Sequence, residues 1–170
     1  MFQGSSGCVA LRYMQELGIY RPSYFFDVFD GFNYEEAKSS SDALWFGSHV
    51  THGQSVVAER LQSFDLPGLG RPVIVQKNNI ITDDLPPEIT KIAVANLDVD
   101  ILEGVYHGLV RLAPLIVPGG ILIVEDTGHT PALAGAALAV ELFQQTPIAR
   151  QFTSIYMASG QLFLLRNAGF

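Results

Sequence analysis

The sequence predicts an α/β domain, a three-layer sandwich on a doubly wound, mostly parallel sheet closed by a C-terminal antiparallel hairpin. Helical and strand-like patterns alternate along the 170 residues, the order expected of a parallel sheet with crossover helices. Two short apolar runs, IAVANL at 92–97 and ILIV at 121–124, suit parallel strands buried on both faces better than half-exposed ones. The ending, FTSIYMASGQLFLLRN, reads as two strands joined by a Ser-Gly turn, hence a hairpin at the sheet edge.

The elements follow in order. Ser5 or Ser6 is placed to cap a first helix that runs to about Leu17, with Gly18 ending it. PSYFFDVFDGF is an aromatic-rich strand that ends at Asp27 and Asp30 before a turn at Gly31. Residues 34 to 52, with mixed polarity and a serine cluster, read as a loop holding a short helix, a candidate mobile cover. Val56, Val57, Leu61 and Phe64 have amphipathic helical spacing, DLPGLGRP breaks the chain, and VIVQ at 73–76 is a strand. After the loop DDLPPE come the strand at 91–98 and the helix ILEGVYHGLVRLAPLI. PGG is expected to turn the chain into ILIV, and PALAGAALAVELFQQ is a helix capped by Thr130 with Pro131 in its first turn.

Composition bounds the function. With 48% hydrophobic and 16% charged residues, one compact domain over 1–170 is expected. A net charge of -7 with ten scattered Lys and Arg disfavours a nucleic-acid surface and points to small-molecule partners. The single cysteine, Cys8, permits no internal disulfide and reads as a buried, inert thiol in a reducing cytoplasm. MFQGSSGC has neither the basic region nor the apolar stretch of a secretory signal, and no apolar run is long enough to span a bilayer. A soluble protein without a membrane partner is therefore expected.

The chemistry concentrates in KIAVANLDVDILEG, where an apolar strand ends in Asp98 and Asp100 and then turns helical. ILIVED likewise ends in Glu125 and Asp126. In an open α/β sheet the strand C-termini line the ligand crevice, so neighbouring strands of this kind gather up to four acidic groups. Like charges held that close are unfavourable without a cation.

LDVDILEG followed by PGGILIVEDTG resembles the macrocin O-methyltransferase family of class I S-adenosylmethionine-dependent enzymes, which methylate sugar hydroxyls in natural products. FQGSSG at 2–7 is similar to the end of the family's glycine-rich first loop, FFDVFDGF to its second strand, and VQKNNIITDDLP to its third. The resemblance implies a Rossmann-like class I methyltransferase fold whose first strand would precede Phe2, so the sheet is expected without it. The family's N-terminal extension is expected to be absent as well. For function, it implies an O-methyltransferase acting on a small-molecule hydroxyl, with S-adenosylmethionine and magnesium. Asp98, Glu125 and Asp126 would hold the metal, and Asp100 would be the catalytic base. Gly4, Ser5 and Ser6, Asp27 and Asn78 would bind the cofactor: Gly4 and Ser6 at its methionine part, Asp27 at the ribose hydroxyls and Asn78 at the adenine.

Plainer roles stand beside these. Strand-end acids also favour the N-terminus of a following helix, and Asp27 also fits a solvated turn. His49 and His52 have metal-compatible spacing but sit in a polar loop, His129 is a loop residue near the VED motif, and His107 falls on a helix. Tyr34, Trp45 and Phe46 read as loop anchors. A catalytically inactive, methyltransferase-like module that binds ligands or forms homo-oligomers is the rival function. A nicotinamide-dependent oxidoreductase fits less well, because GSSG does not supply G-x-G-x-x-G.

Overall fold

The computed structural model describes residues 4–40, 42–50, 53–128 and 134–169. His52, His129, Thr130 and Pro131 lie outside the described residues. The order is α1 (Ser5–Glu16), β1 (Ser23–Asp27), α2 (Glu35–Ser39), α3 (Gln54–Gln62), β2 (Val73–Lys77), β3 (Ile92–Leu97), α4 (Leu102–Leu112), β4 (Ile116–Val124), α5 (Ala134–Gln144), β5 (Phe152–Tyr156) and β6 (Leu162–Arg166). The chain forms two compact units, Met1–Asn33 with Gly47–Asn79 and Tyr34–Phe46 with Ile80–Phe170.

In the first unit β1 and β2 pair in parallel from Ser23↔Val73 to Asp27↔Lys77. A parallel pair needs a crossover, and α3 lies within that connection and packs on β2. Leu11 of α1 and Val57 and Leu61 of α3 are buried with Phe29 and Val73, and half-buried Cys8 packs against them. Gly7 lies so close to the Phe25 ring and Leu61 that a β-carbon would crowd both. The expected serine cap is not formed. The residue ahead of α1 is Gly4, at φ 76°, and no side chain caps this end. Ser5 and Ser6 are already helical and exposed, because glycine adopts the left-handed entry conformation that serine resists. Arg71 is fully buried, with Nη2 donating to the Phe64 carbonyl at 2.6 Å.

In the second unit the strand order is β3-β4-β6-β5. β3 and β4 run parallel, while β6 pairs antiparallel with both β4 and β5, so the C-terminal hairpin forms as expected. Helices α4 and α5 pack on each other and on one sheet face, burying Val105, Leu109, Val140 and Phe143 against Leu122 and Leu164. Ile121 and Ile123, which alternate with these positions, are only half-buried.

Two expectations need correction here. β3 is not buried on both faces: among the described residues it pairs only with β4, and Val94 is 65% exposed. Helices α4 and α5 cover one face of this sheet, and apolar composition alone does not reveal that the other is left open. Pro118-Gly119-Gly120 does not turn the chain before the strand but lies inside β4, where the register shifts between Ile92 and Val94 of β3. Gly119 takes φ 77°, and the backbone at Gly120 passes so near the Ala93 and Val117 carbonyls that a side chain has no room. The 34–46 segment holds α2 and a 3-10 turn, Ala43–Trp45, consistent with a loop carrying a short helix.

Candidate functional site

Ladder geometry positions the acidic residues. β3 and β4 end together, Leu97 opposite Val124, and the Glu125 N–H continues the ladder by donating to the Leu97 carbonyl at 3.0 Å. The register thus sets Asp98 level with Glu125, with Asp126 one residue further along the neighbouring strand's exit. Asp100 is the centre of a three-residue turn closed by the Ile101 N–H donating to the Val99 carbonyl at 2.7 Å. Asp100 has φ 61° and Asp126 φ 57°. Positive φ is uncommon outside glycine, though aspartate tolerates it better than most.

Asp98, Asp100 and Asp126 each offer a carboxylate oxygen within 4.8 Å of the others. Asp98 is the most exposed of the three. Burial, then the Asp98 and Asp126 charges and a hydrogen bond with Asp126, push the Asp100 carboxyl up to about 7. That is the expected response of a carboxylate crowded by like charge. The all-oxygen donor set suits a hard divalent cation, so these side chains fit the magnesium that the resemblance implies.

Glu125 is not one of the three. Its carboxyl is also raised, by burial foremost, while hydrogen bonds with Gln161 and Asn96 pull it back down. Asp100, expected as a base, stands within the same group of carboxylates.

The residues expected to hold the cofactor lie in the first unit. Asp27 and Asn78 come together at the ends of the parallel pair, where the Asn78 N–H donates to the Asp27 carbonyl at 3.0 Å. Asp27 Oδ1 accepts the Phe29 N–H at 2.7 Å, which fixes the turn after β1. Asn78 is buried, and Lys77 beside it pairs with Asp30. Gly4 is buried at the start of α1, next to exposed Ser5 and Ser6.

One polar residue was not legible in the sequence. Asp42, 6% exposed, accepts the backbone N–H of Leu102 through Oδ2 at 3.0 Å and so caps α4 from sixty residues away. Its own N–H donates to Ser40 Oγ at 2.8 Å. Gly135 of α5 lies against that cap: a β-carbon there would overlap the Asp42 carboxylate and crowd Leu102 N. A local capping signal would place such a residue just ahead of α4, where Ile101 stands instead. Asp42 and Gly135, with Ala134, Ala137, Leu138 and Glu141, also line a cavity of about 420 Å³ that excludes the three carboxylates. Among the described residues no helix is long and apolar enough to cross a membrane.

The profile of the macrocin-O-methyltransferase (TylF) family matches residues 4–157. No curated protein matches the sequence. The solved O-methyltransferase NovP superposes with a TM-score of 0.78 at 18% identity, covering 99% of this chain and 69% of its own. The calicheamicin methyltransferase CalS11 gives 0.61 at 12% identity, over 94% and 78%. The O-methyltransferase TomG from Streptomyces achromogenes, solved in complex with SAM, gives 0.51 at 15% identity, over 96% and 81%. At these identities the likeness establishes a shared Rossmann-like fold.

Proposed function

The chain belongs to the macrocin O-methyltransferase family, and from that premise we propose that it methylates a hydroxyl of a sugar or another natural-product small molecule with S-adenosylmethionine. The observation that carries the proposal is the convergence of Asp98, Asp100 and Asp126 at the ends of two parallel strands inside the matched region. Strand C-termini are where sheets of this class place their ligands.

S-adenosylmethionine supplies an electrophilic methyl on a sulfonium, and a divalent cation, magnesium by preference, supplies Lewis acidity toward an acceptor oxygen. Asp98 and Asp126 would hold the cation. Asp100, within the same group, would take the proton that the acceptor hydroxyl must lose. General-base help of this kind contributes about 10²–10⁴-fold. Glu125 orients its neighbours through Asn96 and Gln161, an outer role in place of direct ligation. Asp27 presents a carboxylate at a strand end, suited to a ribose diol, with Asn78 beside it for the adenine side. Gly4, Ser5 and Ser6 form the N-terminal end of α1, suited to the methionine part.

A small-molecule acceptor, a reducing cytoplasmic setting and no nucleic-acid partner complete the proposal, supported by the acidic charge and single cysteine. The test is methyl transfer from labelled S-adenosylmethionine to a panel of nucleotide-linked and free sugars, with and without chelator. Transfer that stops on chelation and returns with magnesium is expected. Transfer indifferent to chelator rejects the metal role, and no S-adenosylmethionine binding by calorimetry rejects the methyl-transfer reading.

A further inference from the structure

We propose that Asp42 is a positioning residue for Asp100, holding the acidic turn through the first turn of α4. The inference rests on the reading of Asp98, Asp100 and Asp126 as a cation site, and its own support is local geometry.

Asp100 sits at φ 61° in a turn closed by a single backbone bond, Ile101 N–H to Val99. A non-glycine residue persists there only when its surroundings over-determine it. On the N-terminal side the β3–β4 ladder provides that constraint as far as Leu97. On the C-terminal side Ile101 is fully buried, and the next N–H, that of Leu102, is tied to Asp42. Ile101 has no side chain able to cap its helix, and the acceptor comes from the distant 34–46 segment. Ser40 Oγ fixes Asp42 from behind, and Gly135 of α5 closes on it with no space for a β-carbon. Three parts of the unit therefore meet at one hydrogen bond two residues beyond Asp100. Asp42 touches neither metal nor substrate in this assignment. It acts through Leu102.

The experiment has two readouts on the wild-type chain and on Asp42→Ala, Asp42→Asn and Gly135→Ala, each checked for an unchanged circular dichroism spectrum. The first, without metal, is hydrogen exchange at the Ile101 and Leu102 amides. Asp42→Ala and Gly135→Ala are expected to speed exchange at both by roughly tenfold or more, as loss of one buried hydrogen bond allows, while Asp42→Asn keeps an acceptor and stays near wild type. The second is calorimetric titration with Mn²⁺. The Ala variants are expected to bind about 10–100-fold more weakly, the usual effect of removing an outer partner, with Asn rescuing. Exchange at Ile101 as slow in both Ala variants as in wild type overturns the positioning role, whatever Mn²⁺ does. Faster exchange in a protein whose wild type binds no Mn²⁺ keeps the positioning role and overturns the cation site. Should Asp42→Ala not fold, Gly135→Ala decides the first readout from the opposite side of the same contact.

Discussion

Asp100 and Asp126, in the turns that follow two neighbouring parallel strands, both take positive φ, 61° and 57°, and a hydrogen bond between their carboxyls helps to raise that of Asp100. Asparagine tolerates this conformation nearly as well as aspartate, whereas a β-branched residue does not. Asp126→Asn and Asp98→Asn are therefore expected to keep the fold and melting temperature while lowering metal-dependent methyl transfer by at least about 10²-fold. Asp126→Val is expected to destabilise as well, by about 1–3 kcal/mol of backbone strain. Chemical denaturation beside a turnover assay separates the two, and full turnover in either Asn variant removes these carboxylates from the chemistry.

The Asp100 carboxyl has a defined signature in pH. Its folded-state value of about 7 lies above the ordinary carboxyl value of 3.8, so the folded protein keeps a proton that the unfolded chain has lost. That contribution is fully present below 3.8 and disappears as pH rises to about 7. In chelator, the wild type is expected to lose stability relative to Asp100→Asn over this window, and a saturating divalent cation is expected to remove the difference. Parallel melting curves for the two proteins from pH 4 to pH 8 would refute the coupling.

Cofactor binding is expected to depend on the turn after β1. Asp27→Ala removes both the proposed ribose contact and the acceptor for Phe29 N–H, whereas Asp27→Asn retains an acceptor oxygen. Calorimetry with S-adenosylmethionine is expected to show affinity falling about tenfold or more in the Ala variant, equivalent to roughly 1.4 kcal/mol, with a smaller loss in Asn. Equal affinity in all three proteins would place the ribose elsewhere.

Packing beneath the acidic turn is tight at Gly108. A β-carbon there would overlap the Leu97 side chain, and Leu97 directly precedes Asp98. Gly108→Ala is expected to destabilise by about 1–3 kcal/mol through overpacking, despite alanine's better helix propensity. A stability gain in urea denaturation would mean that Leu97 moves aside freely.

Much of the site was legible because strand-end carboxylates are a local pattern: an apolar run, then acids, twice. Chain order also allowed the C-terminal hairpin to be read. Asp42 was invisible because a cap sixty residues distant leaves no mark in spacing, and its neighbours Ser40 and Ala43 read as loop. Which of Glu125 and Asp126 joins the close group of carboxylates is likewise not written in the sequence, since both follow the strand end and their neighbours Asn96 and Gln161 come from elsewhere in the fold. Pro-Gly-Gly reads as a turn by composition, yet a bulge inside a strand draws on the same residues.

That bulge determines which part of the β3–β4 ladder is regular. Between the pairings Ile92↔Ile116 and Val94↔Ile121, β4 advances five residues while β3 advances two, and beyond that point the rungs match one for one to Leu97↔Val124. The irregularity lies wholly upstream of the carboxylates. A change of length at 118–120 falls outside the regular rungs, whereas a single residue gained or lost between 121 and 126 would dislocate the acidic tips from one another.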